Sequence, residues 1–158
     1  MLGQPWKKVQ SEVIRTVQGF SDHVQFAIVF FDQDLVNFPA GGRPAEATPS
    51  MKGQADRMVM STLTGHGSCY KEALIQALRY AEHSTAKRKQ IILLGDGHTT
   101  CRGQNETQYG NETLAEITSR NKFARINTLG IGQDVREDWL KALAAQNRGT
   151  YRRVSLSQ

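Results

Sequence analysis

Apolar positions along this chain switch their period several times, and each switch marks an element. Between residues 5 and 20, Trp6, Val9, Val13, Val17 and Phe20 recur every three or four positions, which gives a helix one apolar stripe to lay on a sheet. Pro5 suits the first turn of that helix, and Gly19 a stop. Residues 24–31 are mostly β-branched or aromatic, the pattern of a buried strand. Asp32-Gln33-Asp34 connects them to residues 35–38, which end at Pro39, so a hairpin onto a short edge strand is expected. Residues 40–50 hold Gly41, Gly42, Pro44 and Pro49 and read as surface loop. A helix over 51–63 would turn Met58, Val59 and Leu63 inward. A second, over 69–83, carries Leu74, Ala77, Leu78 and Ala81 on one face.

The apolar run Ile91 to Leu94 leads straight into Gly95-Asp96-Gly97-His98-Thr99-Thr100. Four apolar residues bounded by turn signals predict a strand buried on both faces. Asp96 then stands just past its carboxyl end, where open α/β sheets place their ligand sites. Gly95 and Gly97 leave room for close approach. Residues 100–110 read as a polar loop, and Asn111 as the N-cap of a helix to about Arg120. Residues 125–132 predict a strand, 137–146 a helix and 151–154 a last short strand. Alternating strands and helices argue an α/β fold: a mostly parallel central sheet with an antiparallel edge strand and helices on both faces. At 158 residues, with no internal repeat or linker, this is one domain with a core of its own.

Charge narrows the function only a little. The net charge is +5, yet the basic residues are scattered apart from Lys87-Arg88-Lys89 and Arg152-Arg153. No aromatic residues interleave with the longer run, so no nucleic-acid partner is expected. No apolar stretch approaches the ~18 residues of a membrane span, and the first residues lack the apolar core of a signal peptide. The compartment stays unassigned.

Two loops hold the candidate chemistry: Thr64-Gly65-His66-Gly67-Ser68 and Gly95-Asp96-Gly97. An aspartate with hydroxyl oxygens is a hard-oxygen set suited to Mg²⁺ with several waters retained. His66 and His98, near Cys69 and Cys101, raise zinc, but their spacing fits no common zinc pattern; they read as solvated loop histidines. Each cysteine follows one of the two loops. The pair is therefore expected at the same end of the sheet, with bonding left open because it needs Cα atoms within ~7 Å. Asn105-Glu106-Thr107 and Asn111-Glu112-Thr113 match the glycosylation acceptor pattern, which is short and common by chance. No nucleophile elbow stands out, and Gly130-Ile131-Gly132 lacks the context of a dinucleotide fingerprint.

In this order of elements, with Gly-x-Gly-Ser before a helix, an apolar strand ending Gly-Asp-Gly and a strand ending Leu-Gly-Ile-Gly, the chain resembles a von Willebrand factor A (vWA) domain, a Rossmann-like fold. The resemblance spans essentially all of residues 1–158. It implies a non-catalytic protein-interaction module whose metal-ion-dependent adhesion site binds an exposed acidic residue of a protein partner. Its metal would be Mg²⁺, with Mn²⁺ or Ca²⁺ as alternatives. The matching ligands are Ser68, where the family usually has threonine, and Asp96, with Thr64 as a further hydroxyl candidate. The family's Asp-x-Ser-x-Ser motif, at the end of its first strand, is missing. Met1-Leu2-Gly3 fits that motif's tail, so the chain reads as an amino-terminally truncated vWA domain with weak or absent metal binding. The missing strand would lie between residues 24–31 and 91–94. Its gap is expected to close by direct pairing of the two flanking strands, or by a strand from another chain; otherwise the open edge invites self-association or aggregation. Two other readings stand beside this one. One is a Mg²⁺-dependent hydrolase with His66 or His98 as base, and the other a structural remnant without metal.

Overall fold

A computed structural model describes residues 3–63 and 67–156 of the chain. Helix α1 covers Gln4–Gln18. Its stripe is seated as the spacing implies, with Val9 and Val17 buried, and the Gly19 N–H closes the last turn onto the carbonyls of Arg15 and Thr16. Glu12 is buried with them and paired to Arg15 and, at 3.3 Å, to Lys8. Burial alone would raise its pKa; the hydrogen bonds from Arg15 and Lys8 outweigh that and hold the carboxyl below its ordinary range.

The apolar segment 24–31 is two short strands, β1 (Gln25–Phe26) and β2 (Ile28–Phe31), because its outer partner is interrupted. β3 (Leu35–Phe38) pairs antiparallel with β2, as the hairpin pattern predicts. β4 (Ala45–Glu46), inside the stretch read as loop, pairs antiparallel with β1. Helix α2 (Pro49–Ser61) is capped by the Thr48 hydroxyl, which accepts from the Met51 N–H at 3.3 Å. It ends two residues earlier than the pattern suggests. Thr62 is extended, so Leu63 leaves the helix and is 89% exposed rather than inward.

Helix α3 (Tyr70–His83), strand β5 (Lys89–Gly95), helix α4 (Glu106–Arg120), strand β6 (Ala124–Ile131), helix α5 (Glu137–Gln146) and strand β7 (Tyr151–Val154) follow. β5, β6 and β7 form one parallel sheet, with Ile91 beside Ile126 and Gly95 beside Gly130. On one face, Ile91, Leu93 and Ile126 pack against Tyr70, Leu74, Ile117, Leu140 and Leu143 of α3, α4 and α5. On the other, Leu94 and Ile131 join Val9, Phe26, Phe30, Ala55 and Val59 under α1 and α2. This is the α/β architecture with helices on both faces.

The sheet is divided. β2 and β5 both end at the amino end of α3: the Cys69 N–H donates to the Asp32 carbonyl at 2.8 Å, and the Ser68 N–H to the Thr100 carbonyl at 2.6 Å. The two strands therefore run parallel, but no backbone ladder joins them. A cleft of about 290 Å³ lies between, lined by Ala27–Phe31 on one side, Gln90–Leu94 on the other, and residues of α1 and α3 on its faces. Direct pairing across the gap, one of the expected closures, does not occur. The strand expected to be buried on both faces is accordingly open on one, with Ile92 39% exposed.

Candidate functional site

The carboxyl ends of β2, β5 and β6 meet above α3. Tyr70, in the first turn of that helix, fixes the Asp96 loop from beneath. Its phenol accepts from the Gly97 N–H at 3.0 Å and donates to Asp96 Oδ1 at 3.4 Å. The ring is edge-on to Phe31 and tilted on Trp139, both at 4.9 Å between centroids. Burial, and then the Asp96 charge, push the Tyr70 pKa far above its ordinary value, so it acts as a neutral hydrogen-bonding group.

The glycines around Asp96 are required by the protein's own groups. A Cβ at Gly95 would strike the Tyr70 hydroxyl, and one at Gly97 would sit 2.7 Å from the Arg136 carbonyl oxygen. Gly97 also has φ +79°, a conformation side-chain-bearing residues rarely adopt. The Arg136 N–H in turn donates to the Asp96 carbonyl at 2.8 Å. The backbone of residues 95–97 is thus held from both sides, and the Asp96 carboxylate is aimed by the fold. Among the described residues its hydrogen bonds fall on Oδ1, from Tyr70 and from the His98 N–H at 3.0 Å.

Ser68 and Asp96 line the same mouth of the cleft, with Gly67 and Gly95. Thr64 and His66 lie outside the described residues. His98 is not a solvated loop histidine. Its Nδ1 faces Glu106 at 3.1 Å, and its Nε2 faces both the Asp134 carboxylate and the Asp134 carbonyl at 3.2 Å. Arg136 reaches the same Glu106 carboxylate at 3.4 Å. Cys69 and Cys101 are bonded, with Cα atoms 4.7 Å apart, so the pair shares one end of the sheet as expected. That bond staples the start of α3 to the Asp96 loop. Cys69, Glu72 and Cys101 are close enough to ligate a metal, but the disulfide removes both thiolates.

The donor set fits a hard cation in part. Ser68 and Asp96, with oxygen-bearing side chains, both line the cleft, while the cysteine sulfurs are bonded to each other and both His98 nitrogens face protein acceptors. Tyr70, Arg136 and Glu106, which shape the site, had no sequence signal: each acts through a contact between elements distant along the chain.

The comparisons with known proteins agree with this architecture. The sequence model of the von Willebrand factor type A domain matches residues 3–153. The chain belongs to that family. A von Willebrand factor type A protein from Catenulispora acidiphila superposes with a TM-score of 0.83 at 21% identity, over 96% of this chain and 34% of that one. This vWA domain thus spans about a third of that protein's length. An aerotolerance-related membrane protein from Bacteroides fragilis gives 0.70 at 14% identity, over 95% of this chain and 81% of that one. Proximal thread matrix protein 1 from the mussel byssus, with a zinc-occupied metal-ion-dependent adhesion motif, gives 0.62 at 18%, over 98% and 40%. At these identities the likeness is one of fold. The search of curated proteins gave no match. Within the described residues, no helix is long and apolar enough to cross a membrane.

Proposed function

We propose that this vWA domain is a non-catalytic interaction module that binds an acidic group of a protein partner, with a divalent cation held between them. The observation that carries the reading is the placement of Ser68 and Asp96 at one cleft mouth, with the Asp96 loop held by Tyr70 and Arg136. Ser68 Oγ and the Asp96 carboxylate would hold the cation, with Thr64 as a further candidate. Mg²⁺ suits these oxygens best, with Mn²⁺ or Ca²⁺ as alternatives. When bound, the ion supplies positive charge and an open coordination position for a carboxylate. Two side chains leave most of an octahedral shell to water, and Mg²⁺ sheds water reluctantly, so affinity in this chain is expected to be weak.

Hydrolysis is the poorer reading. His98, the candidate base within the described residues, has both ring nitrogens against protein acceptors, leaving neither for a substrate proton. Calorimetric titration with Mg²⁺ and Mn²⁺ tests the site. Weak binding that disappears in Asp96→Ala is the expected result; tight binding that survives the substitution would overturn it.

A further inference from the structure

The Cys69–Cys101 bond belongs to a second donor set, one that the Ser68–Asp96 mouth does not use. We infer that, once a dithiol has reduced this bond, the chain holds Zn²⁺ through the Cys69 and Cys101 thiolates and the Glu72 carboxylate. None of these three ligands is shared with the hard-cation site.

Cys69 precedes the first residue of α3, and Glu72 lies in that helix's first turn. Three positions apart, they share one helix face. Cys101 arrives from the loop after β5, and its Cα stands 4.7 Å from that of Cys69. The two sulfurs and a Glu72 carboxylate oxygen all lie within 4.8 Å of one another. A tetrahedral zinc needs its thiolate sulfurs about 3.8 Å apart, with a carboxylate oxygen about 3.5 Å from each. Side-chain rotation is therefore enough to close the set on an ion.

A second observation concerns how Glu72 is held. Tyr109, wholly buried against both cysteines, donates its hydroxyl to Glu72 Oε2 at 2.6 Å and accepts from the Lys71 N–H at 2.9 Å. A carboxylate on an exposed helix turn is thus oriented by a buried phenol, the support that a ligating carboxylate takes from its surroundings. Both cysteines are buried while Glu72 is exposed, so the sulfur side is dry and the Glu72 side gives an ion its way in. Two thiolates select zinc over Mg²⁺, and three protein ligands leave a fourth position for water.

The chemistry balances. A dithiol breaks the S–S bond by passing two electrons to the sulfurs, and itself closes to a disulfide. Zinc then displaces the two thiol protons to solvent. Cys101 stands outside any helix or strand, between exposed Thr100 and Arg102, so local opening of that turn presents the bond to the reductant. Disulfide and zinc alike tie the start of α3 to the loop that follows Asp96. The reduced, metal-free chain lacks that tie.

The test uses the 158-residue chain, reduced with dithiothreitol and desalted under argon, beside the oxidised chain. Co²⁺ is titrated first, because thiolate-to-cobalt charge transfer in the near ultraviolet reports sulfur ligation, and the chain has two cysteines. One Co²⁺ per reduced chain is expected with that absorption, displaced by Zn²⁺, and none of it in the oxidised chain. A hard cation at Ser68 and Asp96 gives no such absorption in either state, so the two sites succeed or fail separately. Glu72→Gln, at an exposed position, should keep the fold and weaken Zn²⁺ binding about tenfold or more. Zinc should also restore slowed amide exchange to the start of α3 and to residues 96–101 of the reduced chain. Absence of the sulfur absorption after reduction would overturn the inference, as would undiminished affinity in Glu72→Gln. Sulfur ligation without restored protection would overturn it too, since free thiols on an unfolded chain behave in that way.

Discussion

The two halves of the sheet are built from similar residues and finished differently. In the β5–β6–β7 half, seven paired positions join β5 to β6, and polar groups buried there are matched. The Thr128 hydroxyl donates to the Leu140 carbonyl at 2.9 Å. Asn121 donates to Asn147 Oδ1 at 2.9 Å and accepts from the Ala124 N–H at the same distance. In the β1–β2 half, pairing is confined to the outer edge, through a partner broken into four and two residues. Both halves have helices over apolar side chains. The difference shows that covering a sheet's faces does not complete it: side-chain burial and backbone pairing are separate requirements, and a strand meets the second only with neighbours on both edges.

Substitutions can set this contrast in numbers. The largest effect is expected at the centre of the finished half. Ile126→Ala, at a fully buried position, should cost about 2–5 kcal/mol in denaturant melts, through lost transfer energy and the cavity left behind. The equivalent truncation at the seam, Ile92→Ala, should cost under ~1 kcal/mol because that side chain is partly in water. Equal costs would mean that the seam is as closed as the sheet beside it.

Breaking the Cys69–Cys101 bond comes next. It joins positions 32 apart in the sequence, and the double serine substitution should cost about 2–4 kcal/mol. The loosening is expected to concentrate in the Asp96 loop and the start of α3, which the bond joins, and to leave β6 protected against amide exchange. Uniform loss of protection would erase the distinction between the site end and the core.

A smaller effect than the loss of the disulfide is expected at Glu12, over the unfinished half. Its pKa is held low by Arg15 and Lys8, so its stabilisation is present above the ordinary carboxyl range, ~4.3. It is lost as pH falls through the lower folded value. Glu12→Gln should therefore destabilise by about 1 kcal/mol at pH 7, and the gap from the parent should shrink in acid. A gap that persists at low pH would assign Glu12 a packing role instead.

Where one local signal decides an element, the sequence was enough. Helix α5 and strand β7 begin and end where their periodicity places them. Helix α4 did not follow, and the reason is local degeneracy. Asn105-Glu106-Thr107 and Asn111-Glu112-Thr113 are the same cap signal twice. Asn105 is the cap, its Oδ1 accepting from the Gln108 N–H at 2.9 Å. The choice is made by Tyr109, wholly buried, whose hydroxyl accepts from the Lys71 N–H and donates to Glu72. Ser68 and Asp96 could be put forward as candidates from the sequence because their loops carry glycine and hydroxyl residues in a recognisable order. Tyr70 and Arg136 could not, since a buried phenol and a backbone carbonyl acquire their roles only when distant elements meet. The room that Gly95 and Gly97 leave for close approach was legible, and the groups that use it are the Tyr70 hydroxyl and the Arg136 carbonyl.

Tyr70 also bears on how the protein meets alkali. Its phenol is buried between Phe31 and Trp139 and lies against the Asp96 carboxylate, so ionising it would place a second negative charge beside the first. Because its pKa is raised, the stability it contributes is intact below the ordinary tyrosine value of ~10 and drains away as the solution becomes more basic. The failure would begin at the Tyr70 ring, which touches both Phe31 of β2 and the Asp96 loop. Base would part the two halves of the sheet from below, at their shared aromatic floor, before it dissolved either of them.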